Sequence, residues 1–424
     1  MSFVQSSRPP LAQLWQAAVG WFFGHFFTLL LAAVSLAQWV TGAWLLSVLG
    51  HPLPAPIHFA GALTLYAINR KVIGTMRGQR DGRSWQARVL RGYSGVAFTA
   101  LFCAVFLGLS TLGWATMRLL LGALTVEAGT TQPVVMSSAR SAIDGLFHWF
   151  SVTGVSTITL AFAYGYTIGQ WRLTVTQLRI PLAYPPALLG LRIAQISDIH
   201  IGQNLTVAQL QRFVARVNAL DPDLICITGD IADGPAANLS TQLPILAALH
   251  ARLGVFAILG NHDHYAGADR VEAELRQYTP FTILRNAIAT VEVRGTRLHI
   301  VGVDDVGRDW ARGVHRHDGL AALESQLSAT EPVLLLSHRP EAFSHAAALG
   351  IGLTLSGHTH GGQVAMPWFG GRPRGLARFV TPFDRGLFEK EGCFLYVNRG
   401  LGVTGQRIRL FAPREISVIE VAAA

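Results

Sequence analysis

Residues 191–200 read Leu-Arg-Ile-Ala-Gln-Ile-Ser-Asp-Ile-His. A short β-type run ends abruptly in an acid and an imidazole, Asp198 and His200. The same construction recurs four times. Residues 224–228 lead into Gly229-Asp230, and residues 255–259 into Gly260-Asn261-His262-Asp263. Residues 333–337 lead into His338, and residues 351–356 into Gly357-His358-Thr359-His360. Between the first two runs Val207, Leu210, Phe213, Val214, Val217 and Leu220 recur at helical spacing, which predicts an amphipathic helix. Strand, helix, strand is a crossover unit, and its two strands pair in parallel. Ligands in such sheets bind beyond the carboxyl ends of the strands. All five polar clusters fall there.

Each cluster alone reads most simply as a turn. Five in order, each after a strand, call for a shared purpose. Neutral imidazole and carboxylate are ligands for borderline divalent ions. Asp198, His200, Asp230, Asn261, His338, His358 and His360 exceed the needs of one tetrahedral ion and suit two ions with a carboxylate between them. Two ions about 3.5–4 Å apart clamp a phosphoryl group, so the chemistry points to hydrolysis of phosphoesters or phosphoanhydrides. The neighbouring glycines permit tight turns and close backbone approach.

These motifs resemble those of the calcineurin-like metallophosphoesterases: Asp198-x-His200, Gly229-Asp230-x-x-Asp233, Gly260-Asn261-His262-Asp263, a lone His338 and Gly357-His358-x-His360. The resemblance covers about residues 190–424. Ser337-His338-Arg339-Pro340, residues 357–363 and residues 396–402 narrow it to the membrane-associated bacterial branch. That branch includes phosphodiesterases and an enzyme that cleaves UDP-2,3-diacylglucosamine. The resemblance implies a four-layer α/β sandwich with a dimetal site. One ion takes Asp198, His200 and His360, the other takes Asn261, His338 and His358, and Asp230 bridges them. A metal-held hydroxide attacks phosphorus, and manganese is the first expectation, with iron or zinc as alternatives. His262 stands beside the leaving oxygen as a catalytic group, and Asp263 is expected to orient its imidazole. Asp233 reads as a turn or supporting residue. His250, His264, His299, His315, His317 and His345 read as ordinary surface or core residues.

The first half has a different composition. The chain has 424 residues, 50% of them apolar and only 14% charged, with a net charge of +9. Residues 1–189 hold twelve Lys/Arg against three Asp/Glu, which is the whole surplus; residues 190–424 hold twenty-two of each. No charged residue lies between Arg8 and Arg70. A bilayer core takes about 20 helical residues, so that run predicts two spans, within residues 14–49 and at 57–69, broken at residues 51–56. Further apolar runs at residues 93–117 and 145–170 predict two more. The fold class is therefore an α-helical membrane region of about four spans, residues 1–180, followed by an α/β metallophosphoesterase domain, residues 190–424. No removable signal peptide is expected, because residues 1–10 lack a charged start followed by a short apolar stretch.

Positive charge in short loops marks the cytoplasmic side. Arg70, Lys71, Arg77, Arg80, Arg83, Arg88 and Arg91 face one acid, Asp81, after the second span. Arg118 and Arg140 are balanced by Glu127 and Asp144 after the third. Both termini and the catalytic domain are thus expected inside, at a bacterial inner membrane. A basic loop between membrane runs reports orientation, so no nucleic-acid partner is expected. The expected partners are the bilayer and a phosphoester substrate, lipid-linked in the leading reading. Two other classes compete. A metal-binding scaffold or regulatory module without turnover would have lost ligands, and none is missing. A transporter usually carries intramembrane charges, whereas only His25, His58 and His148 lie in the predicted spans. Cys103, Cys226 and Cys393 form no metal or disulfide pattern.

Overall fold

The computed structural model describes residues 10–78, 84–127, 133–235, 237–307, 318–327, 330–366 and 374–424. The sequence singled out Arg80, Asp81, Arg83, His315 and His317. All of these lie outside the described residues. The chain divides into two compact units, Met1–Phe162 and Ala163–Ala424.

Four long helices occupy the predicted apolar runs: α1 (Pro10–Val48), α2 (Ala55–Gly78), α3 (Trp85–Glu127) and α4 (Pro133–Thr167). The break between α1 and α2 falls at the proline-rich residues 51–54, and Pro56 sits in the first turn of α2, where its missing N–H costs nothing. Among the described residues three helical stretches are long and apolar enough to cross a membrane: Phe27–Val48, Trp85–Ala123 and Ser137–Trp171. The helix predicted for the second span is present, but α2 carries Asn69, Arg70 and Lys71 and does not join those three. Asn69 is nonetheless buried and fully engaged. Its amide donates to Ser35 Oγ at 2.8 Å and Gln38 Oε1 at 2.6 Å, and its carbonyl accepts from the Tyr93 hydroxyl at 2.8 Å. This side chain ties α2 to α1 and α3, and internal pairing is what a polar group needs away from water.

In chain order the strands of the second unit are Leu173–Leu182 (β1), Arg192–Ile196 (β2), Leu224–Thr228 (β3), Val255–Ile258 (β4), Thr282–Ile283 (β5), Ala287–Val293 (β6), Thr296–Gly302 (β7), Val333–Leu336 (β8), Leu353–Ser356 (β9), Ala365–Met366 (β10), Arg374–Gly375 (β11), Gly386–Lys390 (β12), Cys393–Val397 (β13) and Arg414–Ala423 (β14). Its helices are α5 (Val207–Asn218), α6 (Leu239–Leu246), α7 (Asn261–Ala266), α8 (Ala268–Tyr278), α9 (Asp318–Leu323) and α10 (Phe343–Ala348). One six-stranded sheet has the order β1-β14-β2-β3-β4-β5, and the other β12-β13-β9-β8-β7-β6. The crossover read from the sequence is present, since β2 and β3 pair in parallel through α5. Thr206 caps α5 with a reciprocal Thr206–Gln209 box, which satisfies two otherwise orphaned N–H groups.

Residues alternate between two cores along each central strand. Leu224, Cys226, Phe256 and Ile258 share a cluster with Leu334, Leu336, Leu353 and Leu355 of the other sheet. Their neighbours Ile225, Ile227, Val255 and Ala257 face Leu210, Phe213 and Val217 of α5 and Leu275 of α8. On the other sheet Val301 and Leu335 meet Leu320 of α9 and Ala346 of α10. A period of two with both faces buried explains why these strands read as continuous apolar runs. Each buried Leu, Ile or Phe contributes about 1.5–3 kcal/mol.

The sequence closed the membrane region at residue 180, but the structure places β1 in the first sheet. It pairs in parallel with β14 from Leu173↔Arg414 to Leu182↔Ala423. The partner strand lies at the far end of the chain, so nothing local to residues 173–182 announces the pairing.

Candidate metal centre

The clusters that end β2, β3, β4, β8 and β9 converge. Asp198, His200, Asp230, Asn261, His338 and His360 are all buried, and His358 is half-buried. Five of these seven hold left-handed backbone: Asp198 (φ 49°), His200 (50°), Asp230 (53°), His358 (70°) and His360 (51°). Non-glycine residues rarely adopt that region, and it persists where surroundings over-determine it, most often at functional sites. The turn after each strand is bent to aim a side chain inward.

Two subclusters share one carboxylate. In the first, ligand atoms of Asp198, His200, Asp230 and His360 all lie within 4.8 Å of one another. The Nε2 atoms of His200 and His360 face each other at 3.0 Å, and His360 Nε2 is 3.3 Å from Asp198 Oδ1. In the second, His338 Nε2 is 3.2 Å from Asn261 Oδ1, and the His358 ring lies 5.1 Å from that of His338. Asp230 Oδ2 stands between them, 3.6 Å from His200 Nε2 and 3.3 Å from His338 Nε2. The second oxygen of Asp230 accepts the His262 backbone N–H at 2.8 Å, so the carboxylate is held from behind. Facing imidazole nitrogens and buried carboxylate oxygens here converge on shared points. The donor set therefore fits two divalent ions.

Local chemistry prepares several of these groups as ligands. His338 Nδ1 lies 2.7 Å from the Thr228 carbonyl, so Nδ1 donates there and Nε2 is the ring nitrogen turned to Asp230 and the centre. Burial pushes the pKa of His358 well down, helped by Arg339, and that of His360 likewise, helped by His200, which keeps both rings neutral. Burial would raise Asp230, but His338 outweighs it and holds the carboxyl well below its ordinary value. Two glycines are required by close approach. A Cβ at Gly260 would collide with Asp230 Oδ1 and His338 Cε1, and one at Gly357 with Ser197 Oγ and Asp198 Oδ2.

His262 lies beside the first subcluster, its ring 4.7 Å from that of His200 and perpendicular to it. The expectation that Asp263 orients this imidazole is corrected by the structure. Asp263 turns away and accepts three backbone N–H groups, of Ile231 at 3.1 Å, Ala232 at 2.7 Å and Gly260 at 2.9 Å. It staples the β3 and β4 turns together, a capping role that adjacency in sequence concealed. The partner of His262 is Asp233: its carbonyl oxygen is 3.0 Å from His262 Nδ1, and its carboxylate is 3.2 Å from His200 Nδ1.

Two arginines support the centre without having been read as doing so. Arg339 pairs with buried Asp305 at 2.8 Å and places Nη1 3.1 Å from His358 Nε2. Arg409 is fully buried. It donates to the carbonyls of His360, Arg399, Gly400, Gly402 and Ala412 and lies 3.2 Å from His360 Nδ1. Arg339 appeared in a quoted motif, but no pattern marked Arg409.

Next to the centre, Asp304 accepts from Arg285 Nε at 2.6 Å and lies 2.8 Å from His264 Nε2. Burial alone would raise its pKa, but His264 and Arg285 outweigh it and lower it. A carboxyl depressed on folding contributes stability above its unfolded value of about 3.9 and loses it as pH falls through the folded value. Asp304→Asn is expected to cost about 2 kcal/mol at pH 7. The gap from wild type should close below about pH 4, followed by tryptophan fluorescence during chemical denaturation. A gap that is constant with pH refutes the ionic origin.

The calcineurin-like phosphoesterase family model matches residues 191–362. The metallophosphoesterase YkuE of Bacillus subtilis is 31% identical over 288 residues, 66% of this chain and 96% of that protein. The chain belongs to the calcineurin-like metallophosphoesterase family. A transmembrane protein with metallophosphoesterase domain from Danio rerio is 32% identical, over 67% of this chain and 66% of its own length. The UDP-2,3-diacylglucosamine pyrophosphatase LpxG of Chlamydia trachomatis is 31% identical, over 55% of this chain and 84% of its own. Membership makes the chain a metal-dependent phosphoesterase, and the cluster around Asp230 is its candidate metal-binding site.

Proposed function

We propose that this metallophosphoesterase is a membrane-anchored hydrolase of phosphodiester or pyrophosphate bonds whose substrate is lipid-linked. One ion would be held by Asp198, His200 and His360 and the other by Asn261, His338 and His358, with the Asp230 carboxylate within reach of both groups. Divalent ions there, manganese first, supply charge to polarise a phosphoryl oxygen and lower the pKa of water. His262 donates its Nδ1–H to the Asp233 carbonyl, and as imidazolium it would offer Nε2–H to the leaving oxygen, to stabilise its charge or give it that proton. The reading includes a four-layer sandwich, an anchor of four spans ahead of β1, a catalytic domain that β1 opens, and that domain facing the cytoplasm of a bacterial inner membrane.

The observation that carries the lipid reading is within the second unit. Gly165, in the last turn of α4 and inside a candidate span, accepts from Arg409 N at 3.2 Å. The next residue, Leu410, donates to Gln363 O at 2.8 Å, just after the ligand His360. Within the second unit the candidate metal loop is thus tied, through residues 409–410, to Gly165 near its first residue. Phe379 and Val380, in the segment that follows, are 86% and 79% exposed, with Arg378 beside them. Exposed apolar and cationic groups together suit a membrane surface. The likeness to LpxG supports the same direction.

Detergent-solubilised protein with manganese tests it. Turnover of a lipid-linked pyrophosphate diester should exceed that of soluble bis(p-nitrophenyl) phosphate by about tenfold or more in kcat/KM, as a lipid tail worth about 1.4 kcal/mol or more would give. It should also fall when extra detergent dilutes the micelle surface. Equal turnover of both substrates, indifferent to surface dilution, removes the lipid reading and leaves the hydrolase.

A further inference from the structure

Beside the candidate metal loop lies a concentration of guanidinium groups that ligand chemistry does not use. Arg385 immediately precedes β12, and Arg399 lies two residues beyond β13. Their stems meet at Gly361, the residue after His360: a Cβ there would lie 3.0 Å from Arg399 Cγ and 3.5 Å from Arg385 Cδ. At Gly400, next to Arg399, a Cβ would lie 2.6 Å from Asp198 Cβ. Both side-chain stems therefore pack on the residue that follows the ligand His360, and the backbone after Arg399 also packs on Asp198.

The two are enclosed, with side chains 7% and 18% exposed. Arg385 Nη1 donates to the Phe411 carbonyl at 3.2 Å, while Arg385 Nη2 and Arg399 Nε are buried and have no hydrogen-bond acceptor among the described residues. Their carboxylate partners are Asp384, 3.5 Å from Arg385 Nε, and Glu415, 3.1 Å from Arg399 Nη2. Glu415 is further shared with the hydroxyls of Tyr396 and Thr176. Behind them Arg409 and Arg414 are buried on carbonyl oxygens, and among the described residues neither has a carboxylate within 4.0 Å. Four guanidiniums thus face two carboxylates. Burial presses the pKa of Arg385 down, and Arg399 beside it adds to the pressure. Buried charge persists where something compensates it, and a guanidinium with free N–H groups is suited to phosphate oxygens.

We propose that Arg385 and Arg399 form an anion subsite beside the metal centre, which takes the second phosphoryl group of a substrate carrying two linked phosphates. The centre then cleaves one phosphorus while the arginines hold the other. This rests on the hydrolase reading and narrows its substrate class from phosphodiesters at large to pyrophosphate diesters.

Arg385→Gln in the full chain, loaded with manganese, is the test. On a pyrophosphate diester kcat/KM should fall about tenfold or more, chiefly through KM. On bis(p-nitrophenyl) phosphate, which has one phosphorus, it should stay within about twofold. Arg385→Lys should recover part of the loss. A binding arm uses a nucleoside α,β-methylene diphosphate, whose bridge resists hydrolysis, against the matching monophosphate. The wild type should favour the diphosphate and Arg385→Gln should lose that preference, with Arg399→Lys as a second variant if the first melts early. An equal loss on both substrates, or a preserved diphosphate preference, overturns the subsite. If wild type turns over neither substrate, the hydrolase reading fails, while the binding arm still decides the subsite.

Discussion

Asp230→Ala is expected to reduce phosphodiester turnover by about 10³-fold or more, because its Oδ2 lies near both His200 Nε2 (3.6 Å) and His338 Nε2 (3.3 Å). Removing it subtracts a negative charge from both subclusters and releases the His262 N–H that Oδ1 holds. Metal content by elemental analysis should fall with activity. Asp230→Asn separates charge from shape. It preserves an oxygen for His262 and loses the charge between the subclusters, so it should resemble alanine in metal content and activity while remaining close to wild type in melting temperature. Full activity in both variants would sink the two-ion reading.

The second large effect is structural. Arg409→Leu should destabilise the protein by about 3–5 kcal/mol, the range for breaking a buried charged network by removing one partner. Five carbonyls, on the His360 loop and the residues 399–412 segment, converge on this one guanidinium. Leucine fills the space and removes the guanidinium donors from all five; His360 O keeps the Gln363 N–H and Gly400 O keeps the Glu415 N–H. Since His360 O is among them, metal affinity should weaken together with thermal stability. Lysine keeps the charge with fewer donors and should lie between. A leucine variant that melts within a degree or two of wild type would show that water replaces the guanidinium.

Much of the site was legible because its ligands sit directly after strands. The apolar runs at residues 191–197, 224–228 and 255–259 set strand ends, and a crossover sheet gathers such ends on one side. Chain order therefore predicted spatial convergence for Asp198, Asp230 and Asn261, and the structure brings together all seven expected donors. The relation of Asp263 to His262 was misread for a related reason. Neighbours in sequence on a helical turn point to different sides, and α7 begins at Asn261, so the Asp263 carboxylate reaches back to the amides of Ile231, Ala232 and Gly260. Asp233, three residues beyond Asp230 on another loop, took its place.

Composition and periodicity by themselves determined the long apolar helices of the first half, the α/β pairing of the second and the candidate donors, because hydropathy, strand alternation and residue chemistry are local properties. Tertiary structure alone decided what depends on distant partners. It paired β1 with β14 across the whole soluble unit. It gave Asn69 its three partners on two other helices, so that a polar side chain in an apolar run is satisfied. It set Arg385 and Arg399 against Gly361 and left them with unused N–H groups. A guanidinium on a surface loop and one sealed beside a phosphate-processing centre look alike in sequence. What separates them is desolvation, and that belongs to the folded chain.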